Sequence, residues 1–174
     1  MTSTLKLACL AALATGVAGC ATSTNVSPSA DAAISPQQRW EAGQAAYLAW
    51  NARRSGWRTT ESGLQYKCIK RGPDSAPRPE PGATVTIHYT GTFIDGREFD
   101  SSRPRGEPAT FPLGRLIKGW QEGLPLMRVG DRCLFAIPAN LAYGEGYREP
   151  IPGNSALLFD IELIAIPAPP VGSG

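Results

Sequence analysis

Between Thr84 and Thr90 the chain reads Thr-Val-Thr-Ile-His-Tyr-Thr, apolar at the odd positions and polar at the even ones. A repeat of two puts successive side chains on opposite faces of an extended chain, so the segment predicts a β-strand with one buried face. On that strand Tyr89 points inward and His88 outward. Asp95-Gly96 is a turn signal that folds the strand back against Glu98 to Ser101. Leu64 to Ile69, Arg132 to Ile137 and Leu157 to Ile166 supply further strands, separated by clusters of Pro and Gly. Only Leu116 to Leu124 has a helical period here, with Ile117, Trp120 and Leu124 at i, i+3 and i+7. One short helix among several strands predicts an α+β domain over residues 63–167, a curved antiparallel sheet wrapped around one short α-helix.

Upstream, Ser35-Pro36-Gln37-Gln38 has the form of a helix start: Ser as N-cap, Pro at the first helical position and Gln three residues after the cap. It predicts an N-terminal helix over 36–55, ended by Gly56. Trp40, Tyr47 and Trp50 fall roughly on one face of it, which suits either docking on its own domain or a dimer contact. The oligomeric state stays open, and residues 168–174 read as a disordered tail.

With 174 residues, 42% of them apolar, the chain can build one domain with a core. A formal charge of +2 and 18% charged residues exclude an electrostatic footprint for nucleic acid. Lys6 precedes an uncharged run, Leu7 to Gly19, too short to span a bilayer comfortably but of signal-peptide length, so residues 1–19 read as a removable leader. Its end, Val17-Ala18-Gly19-Cys20, resembles the lipobox of bacterial lipoproteins. That resemblance implies lipidation of Cys20, a membrane anchor and a place on the periplasmic side of the envelope. Ala21 in place of Asp leans towards the outer membrane. Cleavage as an ordinary signal peptide and retention as an uncleaved anchor are the alternatives. Residues 20–35, rich in Ala, Ser and Thr, read as a flexible tether.

Much chemistry is excluded. A single histidine, and Cys68 and Cys133 far apart with no C-x-x-C, leave no zinc or other metal site. No G-x-S-x-G elbow is present. Gly144-Glu145-Gly146 lacks the third glycine of a dinucleotide loop, and no cofactor is implied. The carboxylates Glu98 and Asp100, two apart on a hairpin, read as solubility more than glycoside chemistry. What remains is a site of aromatic and aliphatic side chains.

The stretch Val85 to Ser102, VTIHYTGTFIDGREFDSS, closely resembles the FKBP-type peptidyl-prolyl cis/trans isomerases, the macrolide-binding immunophilins. The likeness continues in family order through Phe111-Pro112-Leu113-Gly114, Leu116-Ile117-Lys118-Gly119-Trp120, Gly130-Asp131, Ile137-Pro138, Ala142-Tyr143-Gly144, Ile151-Pro152 and Leu157 to Leu163. It implies a peptidyl-prolyl isomerase that accelerates X-Pro rotation as exported proteins fold. Its partners would be proline-containing polypeptides and macrolide inhibitors. Trp120 would floor an apolar hollow, with Tyr89, Phe99, Ile117, Tyr143 and Phe159 around it and Asp100 as its acidic member, held by Tyr89 and Arg105. Leu116 and Ile117 match the segment whose backbone meets the bound chain, and Ile151 the loop that overhangs it.

Ala109 stands where many members have a site aromatic, and the loops flanking the site are shorter. These departures feed a second reading, a lipid-anchored chaperone or peptide-binding module with weak or no isomerase activity. The resemblance also sets the strand of Leu64 to Ile69 antiparallel beside that of Arg132 to Ile137, bringing Cys68 near Cys133, either for a disulfide or as two separate reduced cysteines.

Overall fold

The computed structural model describes residues 34–168. The leader, Cys20, the tether up to Ala33 and the tail beyond Ala168 lie outside them. The element order is α1 (Pro36–Asn51), β1 (Arg58–Thr59), β2 (Gln65–Lys70), β3 (Thr84–Thr92), β4 (Glu98–Ser101), β5 (Ala109–Pro112), α2 (Lys118–Gly123), β6 (Arg132–Ile137) and β7 (Leu157–Ala165). The seven strands form one sheet in the order β1-β2-β6-β7-β3-β4, every pair antiparallel. β5 shares the outer edge of β3 with β4: Thr84 to Ile87 pair with β5, and Thr90 to Thr92 with β4.

The alternation read along β3 holds through the whole strand, with Val85, Ile87, Tyr89 and Gly91 buried. Asp95-Gly96 closes the β3–β4 hairpin. Gly96 takes φ +88°, a left-handed conformation that glycine adopts without a Cβ clash, and its N–H donates to the Phe93 carbonyl. β1 and β5 are additions to the expected strands.

The one helix laid on the sheet is α2, shorter than the helical period suggested. Ile117 is its N-cap, and after Gly123 the chain tightens into a 3₁₀ turn, Leu124–Leu126. Two glycines let it approach closely. A Cβ on Gly119 would lie 2.5 Å from Ile137 Cγ2, and one on Gly123 2.6 Å from Phe135 Cε1. Phe135, Ile137, Ile161 and Leu163 of β6 and β7 are fully buried in the core.

The helix α1 begins as expected: the Ser35 hydroxyl accepts from Gln38 N–H, and Gln38 Oε1 accepts from Ser35 N–H. It ends at Asn51, short of the expected residue 55, where Asn51 turns into the domain. The contact with the domain is polar. Gln44 Oε1 accepts from Ala156 N–H, Asn51 Nδ2 donates to Gln65 Oε1, Gln65 Nε2 donates to the Leu48 carbonyl, and Trp40 Nε1 donates to the Gly153 carbonyl. The expected aromatic face is only partly used. Trp50 is 51% exposed and carries the Arg54 guanidinium 4.6 Å from its ring centre. Buried amides need partners, and Gln44 and Asn51 find theirs on the domain, so they orient the helix more than Trp50 does.

Cys68 and Cys133 oppose each other across β2 and β6. Their sulfurs are joined as a disulfide, with Cα atoms 3.9 Å apart.

Candidate active site

An open hollow of about 490 Å³ lies between the sheet and α2. Trp120, on the first turn of α2, is 6% exposed at its base. The Phe159 ring of β7 meets the indole edge-on at 5.0 Å, and the Tyr89 ring of β3 at 5.3 Å. Phe99 of β4 stands perpendicular to Phe159 at 5.7 Å. Edge-to-face contacts align the positive rim of one ring with the negative face of the next, which fixes the rings while leaving an apolar surface open.

The backbone beneath makes room for this arrangement. A Cβ at Gly91 would lie 2.6 Å from Phe99 Cζ and 2.8 Å from Phe159 Cε1, so only glycine lets both rings lie across β3.

The polar side has one carboxylate. Tyr89 OH donates to Asp100 Oδ2 at 2.5 Å, and Arg105 reaches both, with Nη1 3.5 Å from Asp100 Oδ1 and Nη2 3.4 Å from the Tyr89 oxygen. Burial first, and the bond to Asp100 second, push the Tyr89 phenol above its usual pKa. The phenol therefore stays a proton donor and Asp100 an acceptor. This pairing satisfies the carboxylate without leaving an acid or base pointed at a reacting bond.

Leu116 and Ile117 line the hollow, and both of their carbonyls are engaged. Gln121 Nε2 donates to Leu116 O at 2.6 Å, and the Trp120 and Gln121 N–H groups donate to Ile117 O. Tyr143, 37% exposed, also lines the hollow.

Ile151 differs from expectation. It is buried in the core and lines none of the hollow, because a tight backbone pairing with Arg148 turns it inward and leaves Arg148 at the rim. Phe111, Arg115 and Arg148 also line the hollow and were not singled out from the sequence. Phe111 stood in a quoted family block, and on β5 it lies two residues from Ala109, the same strand face. Its ring is 6.3 Å from Tyr89 and 6.5 Å from Trp120. The two arginines gave no signal, since loop geometry decides where they point.

His88 lies outside the hollow, its Nδ1 3.1 Å from the Ser102 hydroxyl. Among the described residues, one group has metal-ligand spacing: Cys68, Asp131 and Cys133. Both sulfurs are consumed in the disulfide, and Asp131 accepts from Gly72 N–H, Arg128 N–H and Arg71.

The family model for FKBP-type peptidyl-prolyl cis-trans isomerase matches residues 76–164. The chain is 52% identical over 123 residues to the FKBP-type peptidyl-prolyl cis-trans isomerase FkpA of Aeromonas hydrophila, covering 71% of this chain and 45% of that protein. It is 46% identical over 105 residues to FK506-binding protein 1 of Debaryomyces hansenii, covering 59% of this chain and 93% of that protein. The crystal structure of FkpA from Escherichia coli superimposes with a TM-score of 0.71 at 41% identity, covering 75% of this chain and 61% of that one. The chain thus spans about half the length of the bacterial relatives it matches first.

Proposed function

We propose, for a chain that belongs to the FKBP-type peptidyl-prolyl cis-trans isomerase family, that the aromatic hollow accelerates rotation about X-Pro bonds in unfolded and exported polypeptides. The observation that carries the reading is the Trp120 floor, walled edge-on by Tyr89 and Phe159, with its single carboxylate already satisfied.

Rotation about a peptide C–N bond breaks amide resonance against a barrier of about 18 to 20 kcal/mol, while the two X-Pro isomers differ by only about 0.5 to 1 kcal/mol. The reaction is slow and nearly balanced. It needs no nucleophile, metal or cofactor, only surroundings that favour the twisted amide over the planar one. Twisting returns the lone pair to nitrogen and reduces charge separation in the carbonyl. An apolar enclosure therefore disfavours the planar ground state more than the twisted one. Trp120, Phe99, Tyr89, Phe159 and Ile117 supply that enclosure and clamp the proline ring. The Tyr143 hydroxyl holds the bound backbone on one side while the other turns. Asp100, with Arg105, keeps the Tyr89 ring in place, so it organises the site and does not act as an acid or base. A macrolide filling the same hollow would compete with substrate.

The address belongs to the same proposal. Acyl chains on Cys20, each methylene worth about 0.8 kcal/mol when buried in the bilayer, would hold the domain to the periplasmic side of the envelope, at the outer membrane. Fractionation of cells carrying Cys20→Ser tests this. Soluble variant beside membrane-bound wild type supports the anchor, and soluble wild type contradicts it. The activity is tested with a protein whose refolding waits on a trans-to-cis X-Pro bond. Catalytic amounts of this chain should speed the slow phase. A slow phase unchanged even at equimolar amounts, with aggregation suppressed, would favour a holding chaperone instead.

A further inference from the structure

The hollow is apolar at its floor and cationic at its rim. Its charged lining is Asp100, Arg115 and Arg148. The anion is tied internally, to the Tyr89 hydroxyl and Arg105. Among the described residues, neither Arg115 nor Arg148 has a carboxylate within ion-pair distance. Glu145 and Glu149, on the same loop as Arg148, are exposed and line none of the hollow.

The two cations are also positioned. The Arg148 backbone is clamped at both ends, its N–H donating to the Ile151 carbonyl at 2.9 Å and its carbonyl accepting from Ile151 N–H at 2.5 Å. Its guanidinium lies over the Tyr143 ring, 4.9 Å from the centroid, which orders a side chain that would otherwise sweep through solvent. Arg115 closes the 3₁₀ turn Leu113–Arg115, immediately before Leu116 and Ile117. One guanidinium without a carboxylate partner thus stands on each of two separate segments lining the hollow.

We propose that Arg115 and Arg148 make this site selective for X-Pro segments with a carboxylate side chain next to the proline, and set it against lysine or arginine there. The proposal rests on the isomerase reading of the hollow. The aromatic floor receives the proline ring and carries no net charge, so discrimination between charged neighbours falls to the arginines. There a carboxylate gives each guanidinium the anion it lacks, and a second cation is repelled. Because the rim is open to water, the attraction is modest and screened by salt.

The test uses the full chain and two sets of proline tetrapeptides that carry Glu, Gln or Lys at the residue before or after the proline. Isomerisation is measured as kcat/KM at about 0.02 and about 0.5 M ionic strength. In at least one set the Glu peptide should exceed the Lys peptide by about three- to tenfold at low salt, what one or two partly exposed ion pairs supply. The ratio should shrink at high salt and approach one in the chain carrying R115Q and R148Q together. Equal Glu and Lys rates in both sets overturn the proposal, as does a ratio that survives high salt or the double substitution. If the wild type fails to accelerate even the Gln peptides, the isomerase reading has failed. The same peptides are then ranked by competition binding, where a salt-sensitive Glu preference lost in the double variant upholds the rim's selectivity, and no preference or no binding overturns it.

Discussion

The hydroxyl of Tyr89 and the carboxylate of Asp100 are bonded at 2.5 Å across the β3–β4 hairpin, with Arg105 against both. Asn in place of Asp100 keeps the shape and removes the charge that holds the phenol. Asp100→Asn should lower kcat/KM while costing about 1 kcal/mol of stability or less, since this carboxylate is half exposed. Peptide isomerisation together with urea unfolding checks it. Full activity in both Asp100→Asn and Tyr143→Phe would contradict the roles given to the polar side.

The same pair predicts an alkaline limit. The Tyr89 pKa is raised in the folded state, by burial first and by Asp100 next. Its contribution is therefore complete below the ordinary tyrosine value of about 10 and is lost as pH rises towards the folded value. Stability measured from pH 8 to 11 should fall less steeply in Tyr89→Phe than in the wild type; parallel profiles would contradict this.

On α2, Gly119→Ala should destabilise although alanine is the better helix former. The new Cβ would lie 2.5 Å from Cγ2 and 2.9 Å from Cδ1 of Ile137, a fully buried side chain with nowhere to retreat. Overpacking of about 1 to 3 kcal/mol outweighs a helix gain of about 1 kcal/mol. Gly43→Ala is the counterpart on α1, where nothing lies within 4 Å, and should stabilise by about 0.5 to 1 kcal/mol. Thermal melts that rank the two variants the other way would contradict the packing.

Asp131 should govern part of the acid sensitivity. Burial pushes its carboxyl up, but the N–H groups of Arg128 and Gly72 and the Arg71 guanidinium outweigh that and hold it below the usual range. A depressed value contributes stability that is complete above about pH 4 and lost as pH falls through the folded value. Asp131→Asn should cost about 1 to 3 kcal/mol at neutral pH, because an amide cannot accept from all three donors. It should also flatten the stability profile between about pH 5 and 2. An unchanged slope would contradict the assignment.

Much of the architecture was legible because β3 is long enough to display its alternation, and because Asp95-Gly96 needs a turn. β5 was not, since Ala109-Thr110-Phe111-Pro112 shows only two turns of the period and ends in proline. Docking of α1 on its own domain was one of the two expected uses of its aromatic face, but the polar contacts that achieve it were hidden for another reason. They depend on Gln44 and Asn51, whose amides look like surface residues until the strand and loop that satisfy them are in place. At the site, the rings were legible through their spacing within a resemblance. Arg148 and Ile151 exchange places across a backbone pairing that no side-chain pattern encodes. Cys68 and Cys133 came through the strand pairing that the resemblance implies, and they oppose each other directly in β2 and β6.

The most direct test of the central claim is the rate at which a short X-Pro peptide interconverts, followed by NMR exchange with and without catalytic amounts of the full chain. Acceleration well above the uncatalysed exchange, which takes tens to hundreds of seconds, is expected, and it should be abolished when a macrolide fills the hollow. An exchange rate that stays at the uncatalysed value while the peptide visibly binds around Trp120 would contradict it.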